Sequence, residues 1–278
     1  MTEPTHRGLR VPGATLHYEV RGRGPLLLLI SGGTGGADST RSVAEDLAGE
    51  YTVVTYDPRG ISRSVLDDPA AEQRVAEHAE DACRLLETLS PDEPARVFGA
   101  SSGAVVALHL LAAHPGRVAR VVAHEPPVVR VLPDAADQLA FVERVRRTFH
   151  AEGLGPALTV FAAGLLREGE VPPESVALPP GAAERAEATM ANLPYFIGRV
   201  VPSFMRYRPD IERLRARSDR LVLAGGRDSA GELPHRAAGF LAERLGTALV
   251  PFPGGHVGLT THPAEFAALL RATLADAA

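Results

Sequence analysis

Five consecutive aliphatic residues, Leu26 to Ile30, run straight into Ser31-Gly32-Gly33-Thr34-Gly35-Gly36. A run with no polar alternation has no face to offer water, so it predicts a strand buried on both sides. The glycines that end it predict a loop that backbone or ligand approaches closely. The unit recurs along the chain. Tyr51 to Tyr56 leads into Asp57-Pro58-Arg59-Gly60, Ala95 to Phe98 into Gly99, and Val118 to Ala123 is soon followed by Glu125-Pro126-Pro127. Helix-like stretches, among them Glu72 to Leu89 and Ser102 to His114, lie between these runs. Buried strands alternating with amphipathic helices predict an α/β fold, a mostly parallel central sheet with helices on both faces. Ahead of it, Leu9 to Val20 holds Pro12-Gly13 between two extended runs and predicts a β-hairpin at a sheet edge.

The rhythm stops near Val128. The next ninety or so residues are helix-like and punctuated by proline, until Arg220 to Leu223 restores the strand pattern. The chain is therefore expected to form one core domain from 1–127 and 218–278, with 128–217 inserted as a helical cap. A length of 278 residues with 45% hydrophobic content suffices for one core of that size. A further strand is expected over Thr247 to Phe252. A closing helix follows from Pro263 to about Ala275, with Phe266, Leu269, Leu270 and Leu274 on one face.

Charge narrows the possible partners. A net charge of -5 leaves no cationic excess for a phosphate backbone or an anionic membrane, so neither nucleic acid nor membrane is expected to bind. All 29 basic residues are arginine, and the absence of lysine excludes a Walker A loop, a Schiff-base mechanism and covalently held pyridoxal phosphate, each of which requires a primary amine. The single cysteine, Cys83, falls in a helix-like run and is expected to be a buried structural thiol. With no apolar N-terminal segment and no membrane-length run, a cytoplasmic location is expected.

The sharpest chemical signal is Gly99-Ala100-Ser101-Ser102-Gly103, between a predicted strand and a predicted helix. A turn that tight needs small flanking residues and exposes the central hydroxyl, which makes Ser101 the candidate nucleophile. Serine needs a base, and His256 stands in Gly254-Gly255-His256-Val257-Gly258, a flexible loop between the last strand and the last helix. His6, His78, His150, His235 and His262 sit in polar surroundings without such a loop. His124-Glu125 is followed by two prolines, which rules out a zinc-binding H-E-x-x-H helix, and no metal site is expected. The acid that orients the base is expected to be Asp228, directly after the restored strand, with Glu125 as the alternative. Asp57 reads as a turn residue. The backbone N–H groups of Ser102 and Gly33 are the expected oxyanion donors, with Thr34 a near competitor to Gly33. A phosphate-cradling G-x-G-x-x-G is incomplete because Asp38 stands at its third glycine.

The order Ser101, Asp228, His256, with an insertion between nucleophile and acid, resembles the α/β-hydrolase superfamily over nearly the whole chain. Asp57-Pro58-Arg59-Gly60-Ile61-Ser62-Arg63-Ser64 is similar to that family's D-x-R-G-x-G-x-S turn, with Ser62 at the second glycine. Ser31-Gly32 stands at its usual His-Gly pair. The resemblance implies a cofactor-free enzyme acting on a small molecule. A serine nucleophile argues against dehalogenase and epoxide hydrolase chemistry, which use aspartate there. Hydrolysis of a carboxylic ester, lactone or thioester through an acyl-enzyme is the leading expectation. A C–C hydrolase or lyase, or a non-catalytic binder on the same fold, is the alternative. Thr34, Phe196, Phe204, Met205 and Tyr207 are the expected substrate-pocket residues.

Overall fold

The computed structural model describes residues 3–167 and 182–275. Its strands are β1 (Thr5–Val11), β2 (Ala14–Arg21), β3 (Leu26–Ile30), β4 (Thr52–Tyr56), β5 (Val65–Leu66), β6 (Ala95–Ala100), β7 (Val118–His124), β8 (Leu221–Gly226) and β9 (Leu249–Phe252). They form one sheet of nine strands in the order β1-β2-β4-β3-β6-β7-β8-β9, with the two-residue β5 paired to β2. Pairing from β4 through β9 is parallel, whereas β1 and β2 form the expected edge hairpin and β2 meets β4 antiparallel. Parallel strands share one direction, so the loops after β3, β6, β7, β8 and β9 converge on one edge of the sheet. β4 lies on one side of β3 and β6 on the other. This reversal of strand order opens a crevice at the carboxyl end of the sheet, where ligands of such folds bind.

The helices are α1 (Arg41–Leu47), α2 (Val75–Leu89), α3 (Ser102–Ala113), α4 (Ala135–Glu152), α5 (Leu154–Leu165), α6 (Ala182–Tyr195), α7 (Val201–Phe204), α8 (Ile211–Arg215), α9 (Leu233–Leu245), α10 (Gly258–Thr261) and α11 (Pro263–Ala275). α1 and α11 pack together on one face of the sheet, where Phe98, Phe252, Phe266, Leu270 and Leu274 are buried. On the other face α2 packs on α3 and α9 packs on β8. α3 is apolar on nearly every side because it is covered all round. Cys83 is buried on α2, and burial pushes its thiol up to about 11, away from reactivity at neutral pH. No helix of the described residues is long and apolar enough to cross a membrane.

Between β7 and β8 the described residues form α4 to α8 and no strand; the stretch 168–181 of the expected cap lies outside the described residues. α6 passes through a π-helical turn, Phe196–Val200, into α7. The hydroxyl of Tyr195 donates to the carbonyl of Arg59 at 2.8 Å. Its ring lies over Gly60, where a Cβ would come within 2.3 Å of it. The end of α6 is thus docked on the Asp57–Gly60 turn, which lacks a side chain at the point of contact.

Two buried histidines tie the fold's stability to pH. His124 lies edge-on to Phe252 and Phe266 with neither ring nitrogen hydrogen-bonded, and burial lowers its pKa to about 4. His78, expected in polar surroundings, is instead buried on α2 against Phe204, because residues 75, 78, 79, 82 and 86 share the helix's inward face. Burial, with the nearby charge of Arg59, lowers its pKa to about 3. Both values fall below the ordinary value near 6.5, so the unfolded chain binds more protons once the pH drops below that point. Stability is therefore expected to fall from about pH 6.5 downward, each histidine contributing a slope approaching about 1.4 kcal/mol per pH unit. Thermal melts at pH 7 and pH 5 check this. His124→Leu is expected to narrow the gap between the two melting temperatures, and an unchanged gap would count against the assignment.

Candidate active site

The loop from β6 to α3 is a turn whose geometry dictates its sequence. A Cβ at Gly99 would stand 2.4 Å from the carbonyl oxygen of Gly103, and one at Gly103 would stand 2.3 Å from that of Ile30. Both contacts are with backbone, so neither position tolerates a side chain. Ser101 between them takes φ 52° and ψ −119°, a conformation L-residues rarely adopt. Its N–H donates to the carbonyl of His124 at 2.9 Å, and its own carbonyl accepts the first bond of α3, from the Ala104 N–H. Held at both ends, the turn projects the Ser101 hydroxyl from the converging edge of the sheet.

His256 meets it from the loop after β9. Its Nε2 lies 3.1 Å from Ser101 Oγ and its Nδ1 lies 2.6 Å from Glu125 Oε2. The carboxylate partner is therefore the alternative, Glu125, and not Asp228. Glu125 directly follows β7, is fully buried and has φ 49°. Its Oε1 accepts from the Gly226 N–H at 2.7 Å and from the Ser229 hydroxyl. Burial pushes this carboxyl up, but the bond and charge of His256, with the bond from Ser229, outweigh it and hold Glu125 below the usual carboxylate range. An anionic Glu125 requires the proton of His256 to sit on Nδ1, which leaves Nε2 as the acceptor facing Ser101.

Asp228 has an exposed side chain and a structural backbone. Its N–H donates to the carbonyl of Gly254 at 3.1 Å and its carbonyl accepts from Arg167 at 2.5 Å. The turn after β8 directs the next residue inward instead, so the fully buried Ser229 reaches the histidine's carboxylate partner. Ser229 escaped the sequence reading because a serine beside a glycine turn carries no distinctive signal.

The Ser102 amide opens α3, where the first N–H groups have no partner within the helix. The Gly33 amide, expected to point into the site as a donor, is hydrogen-bonded to Ser102 Oγ at 3.0 Å. A serine after the nucleophile brings a hydroxyl acceptor within reach of the β3 loop, an interaction that the spacing alone did not reveal. The amide of Thr34, the near competitor, is next along the same loop.

Above Ser101 lies a cavity of about 340 Å³. Phe161, Leu165, Leu193, Phe196, Phe204 and Met205, from the stretch between β7 and β8, line it, together with the polar residues Ser31, Thr34 and Thr260. Four of the expected pocket residues, Thr34, Phe196, Phe204 and Met205, belong to this lining; Tyr207 does not. Its hydroxyl bonds to Nδ1 of His109 at 3.0 Å, because the chain turns after α7 and carries Tyr207 towards α3. Apart from His256, no lining residue among those described carries an ionisable side chain. A group of metal-ligand types, His6, His17 and Glu19, lies on the β1–β2 hairpin. There the Glu19 carboxylate already faces the guanidinium groups of Arg21 (2.8 Å) and Arg63 (3.1 Å), which oppose a cation.

Residues 25–263 match the sequence model of the alpha/beta hydrolase fold. The uncharacterized hydrolase YraK of Bacillus subtilis (strain 168) is 38% identical over 264 residues, which is 93% of this chain and 92% of that protein. Among solved structures, a hydrolase from Pseudomonas aeruginosa superposes with a TM-score of 0.72 at 22% identity, covering 97% of this chain and 98% of the other. A thermophilic esterase from Thermogutta terrifontis superposes with a TM-score of 0.69 at 20% identity, covering 99% of each.

Proposed function

The chain belongs to the α/β-hydrolase fold family, and on that premise we propose that it is a serine hydrolase cleaving an ester-type bond of a small, neutral, largely apolar molecule. The observation that carries this reading is the continuous hydrogen-bonded series Ser101–His256–Glu125 opening into a cavity whose described lining, His256 apart, holds no ionisable side chain. Carboxylic esters, lactones and thioesters share the chemistry required.

Ser101 Oγ adds to the acyl carbonyl carbon while His256 Nε2 takes its proton. Glu125 stays anionic and stabilises the imidazolium. The carbonyl oxygen becomes an oxyanion facing the Ser102 N–H and one amide of the Gly33–Thr34 segment. Amides fixed before the reaction need no reorganisation as the charge develops. Collapse breaks the bond to the leaving group, which departs with the proton from His256, and leaves the acyl group on Ser101. Water then adds to the acyl carbon, giving its proton to His256, and the second collapse returns the proton to Ser101 and releases the acid.

Diethyl p-nitrophenyl phosphate tests the nucleophile. One equivalent of p-nitrophenol should be released as one diethyl phosphoryl group adds to the protein, and peptide mapping should find it on Ser101. Modification elsewhere, or none, would overturn the assignment. The described lining, without a permanent charge, carries its own prediction. p-Nitrophenyl butyrate is expected to exceed p-nitrophenyl hemisuccinate in kcat/KM by about 10- to 100-fold, because the succinyl carboxylate loses water and gains no cationic partner. Equal rates would remove neutrality from the proposed substrate class.

A further inference from the structure

The Asn192 side chain crosses from the end of α6 to the core, where it is 6% exposed. Its Nδ2 donates to the carbonyl of Thr34 at 3.0 Å and to Ser62 Oγ at 2.9 Å, and its Oδ1 accepts from the Ser62 N–H at 3.0 Å. The partners fix which end of the amide is which. A backbone N–H can only donate and a carbonyl can only accept, so the reversed amide would oppose both. Ser62 itself is held at φ 49°, a conformation that is strained for a non-glycine residue and persists only where its surroundings enforce it.

Thr34 belongs to the 31–36 loop, which supplies an amide to the proposed oxyanion site and lines the cavity. Parts of that loop are held from within: Ser31 Oγ donates to the Gly35 carbonyl, and the Gly35 N–H to the Gly32 carbonyl. Ser102 holds it from α3 through the Gly33 amide. Asn192 holds it from the inserted helices. The peptide that Asn192 grips is adjacent to the Gly33–Thr34 peptide whose N–H is a candidate donor.

We propose that Asn192 is a positioning residue for the reaction described above: it fixes the Gly33–Thr34 backbone against the developing oxyanion, so that the oxyanion site is complete only when α6 is seated on the core. The inference rests on the reading of Ser101 as nucleophile. It makes the insertion part of the catalytic geometry as well as a wall of the cavity.

The test is Asn192→Asp. The near-isosteric carboxylate keeps an acceptor for the Ser62 N–H but turns an oxygen towards the Thr34 carbonyl. With p-nitrophenyl butyrate, kcat is expected to fall about 10- to 100-fold while KM stays within about threefold, since displaced donors act in the transition state more than in the ground state. Affinity for 1-butaneboronic acid, whose tetrahedral adduct on Ser101 carries an oxygen into the same site, should fall in parallel. Ser62→Gly is the control. It suits φ 49° and keeps the Thr34 contact, so its kcat should stay within about threefold of wild type. Asn192→Ala serves if the aspartate variant does not fold. A folded Asn192 variant with wild-type kcat, or a Ser62→Gly loss as large as that of Asn192→Asp, would overturn the proposal. A wild type that neither turns over the ester nor reacts with the phosphate triester would instead overturn the reading of Ser101 on which it rests.

Discussion

Glu125→Gln is expected to lower kcat by about 10⁴-fold, while Asp228→Asn leaves it within about threefold of wild type. The first figure is what removing the acid of a Ser-His-acid series costs when the other two members stay in place. The Gly226 N–H and the Ser229 hydroxyl claim the single oxygen of the substituted amide, which then presents an N–H to Nδ1 of His256. The tautomer with Nε2 free loses both its acceptor and the anion that enforces it. The Gly226 N–H and the Ser229 hydroxyl still find an oxygen at position 125, so the fold is expected to survive. Asp228 contributes backbone hydrogen bonds that an asparagine retains, and its exposed carboxylate has no role in the series. Steady-state kinetics on p-nitrophenyl butyrate, with circular dichroism of each variant, reads the contrast. Equal losses in the two variants would return Asp228 to candidacy. Glu125→Asp should fall between them, because the shorter side chain pulls the carboxylate back from Nδ1.

This pair of carboxylates also marks where the sequence stops being informative. The buried strands were legible because a five-residue aliphatic run such as Leu26–Ile30 has few other places to go, and the glycines after them mark the converging edge. The two-residue β5 was not, since Val65-Leu66 is too short to carry a period. Both Glu125 and Asp228 follow a strand in the same sheet, so position along the chain cannot choose between them. The choice is made by backbone direction. A positive φ at Glu125 turns its side chain beneath His256, whereas the turn after β8 presents Ser229 inward and leaves Asp228 in solvent. Tyr207 failed for a related reason, since an aromatic residue just beyond α7 reads as pocket lining until its partner, His109, is known. Asn192 had no signal at all, because a side-chain amide is recognisable only once its three partners are brought together.

The nucleophile itself supplies the other large effect, one in which activity and stability are expected to move in opposite directions. Ser101→Gly should lower turnover by about 10⁶-fold, the scale seen when such a nucleophile is lost, and at the same time raise the melting temperature. At φ 52° and ψ −119° the Ser101 backbone is strained by of order 1–3 kcal/mol, and the strain comes from its Cβ. Glycine relieves it but loses more freedom on folding, by roughly 0.5–1 kcal/mol, and gives up the contact with His256. Against alanine, which gives up the same contact, the balance is about 1 kcal/mol in favour of glycine, or roughly 2–4 °C in a chain of this size. Ser101→Ala separates the two effects, because alanine removes the hydroxyl but keeps the Cβ. It should be as inactive as the glycine variant and no more stable than wild type. Melting curves of the three proteins therefore read the strain directly. If alanine and glycine melt together, the elbow is not storing strain at Ser101, and the small residues around it serve only to let the chain turn.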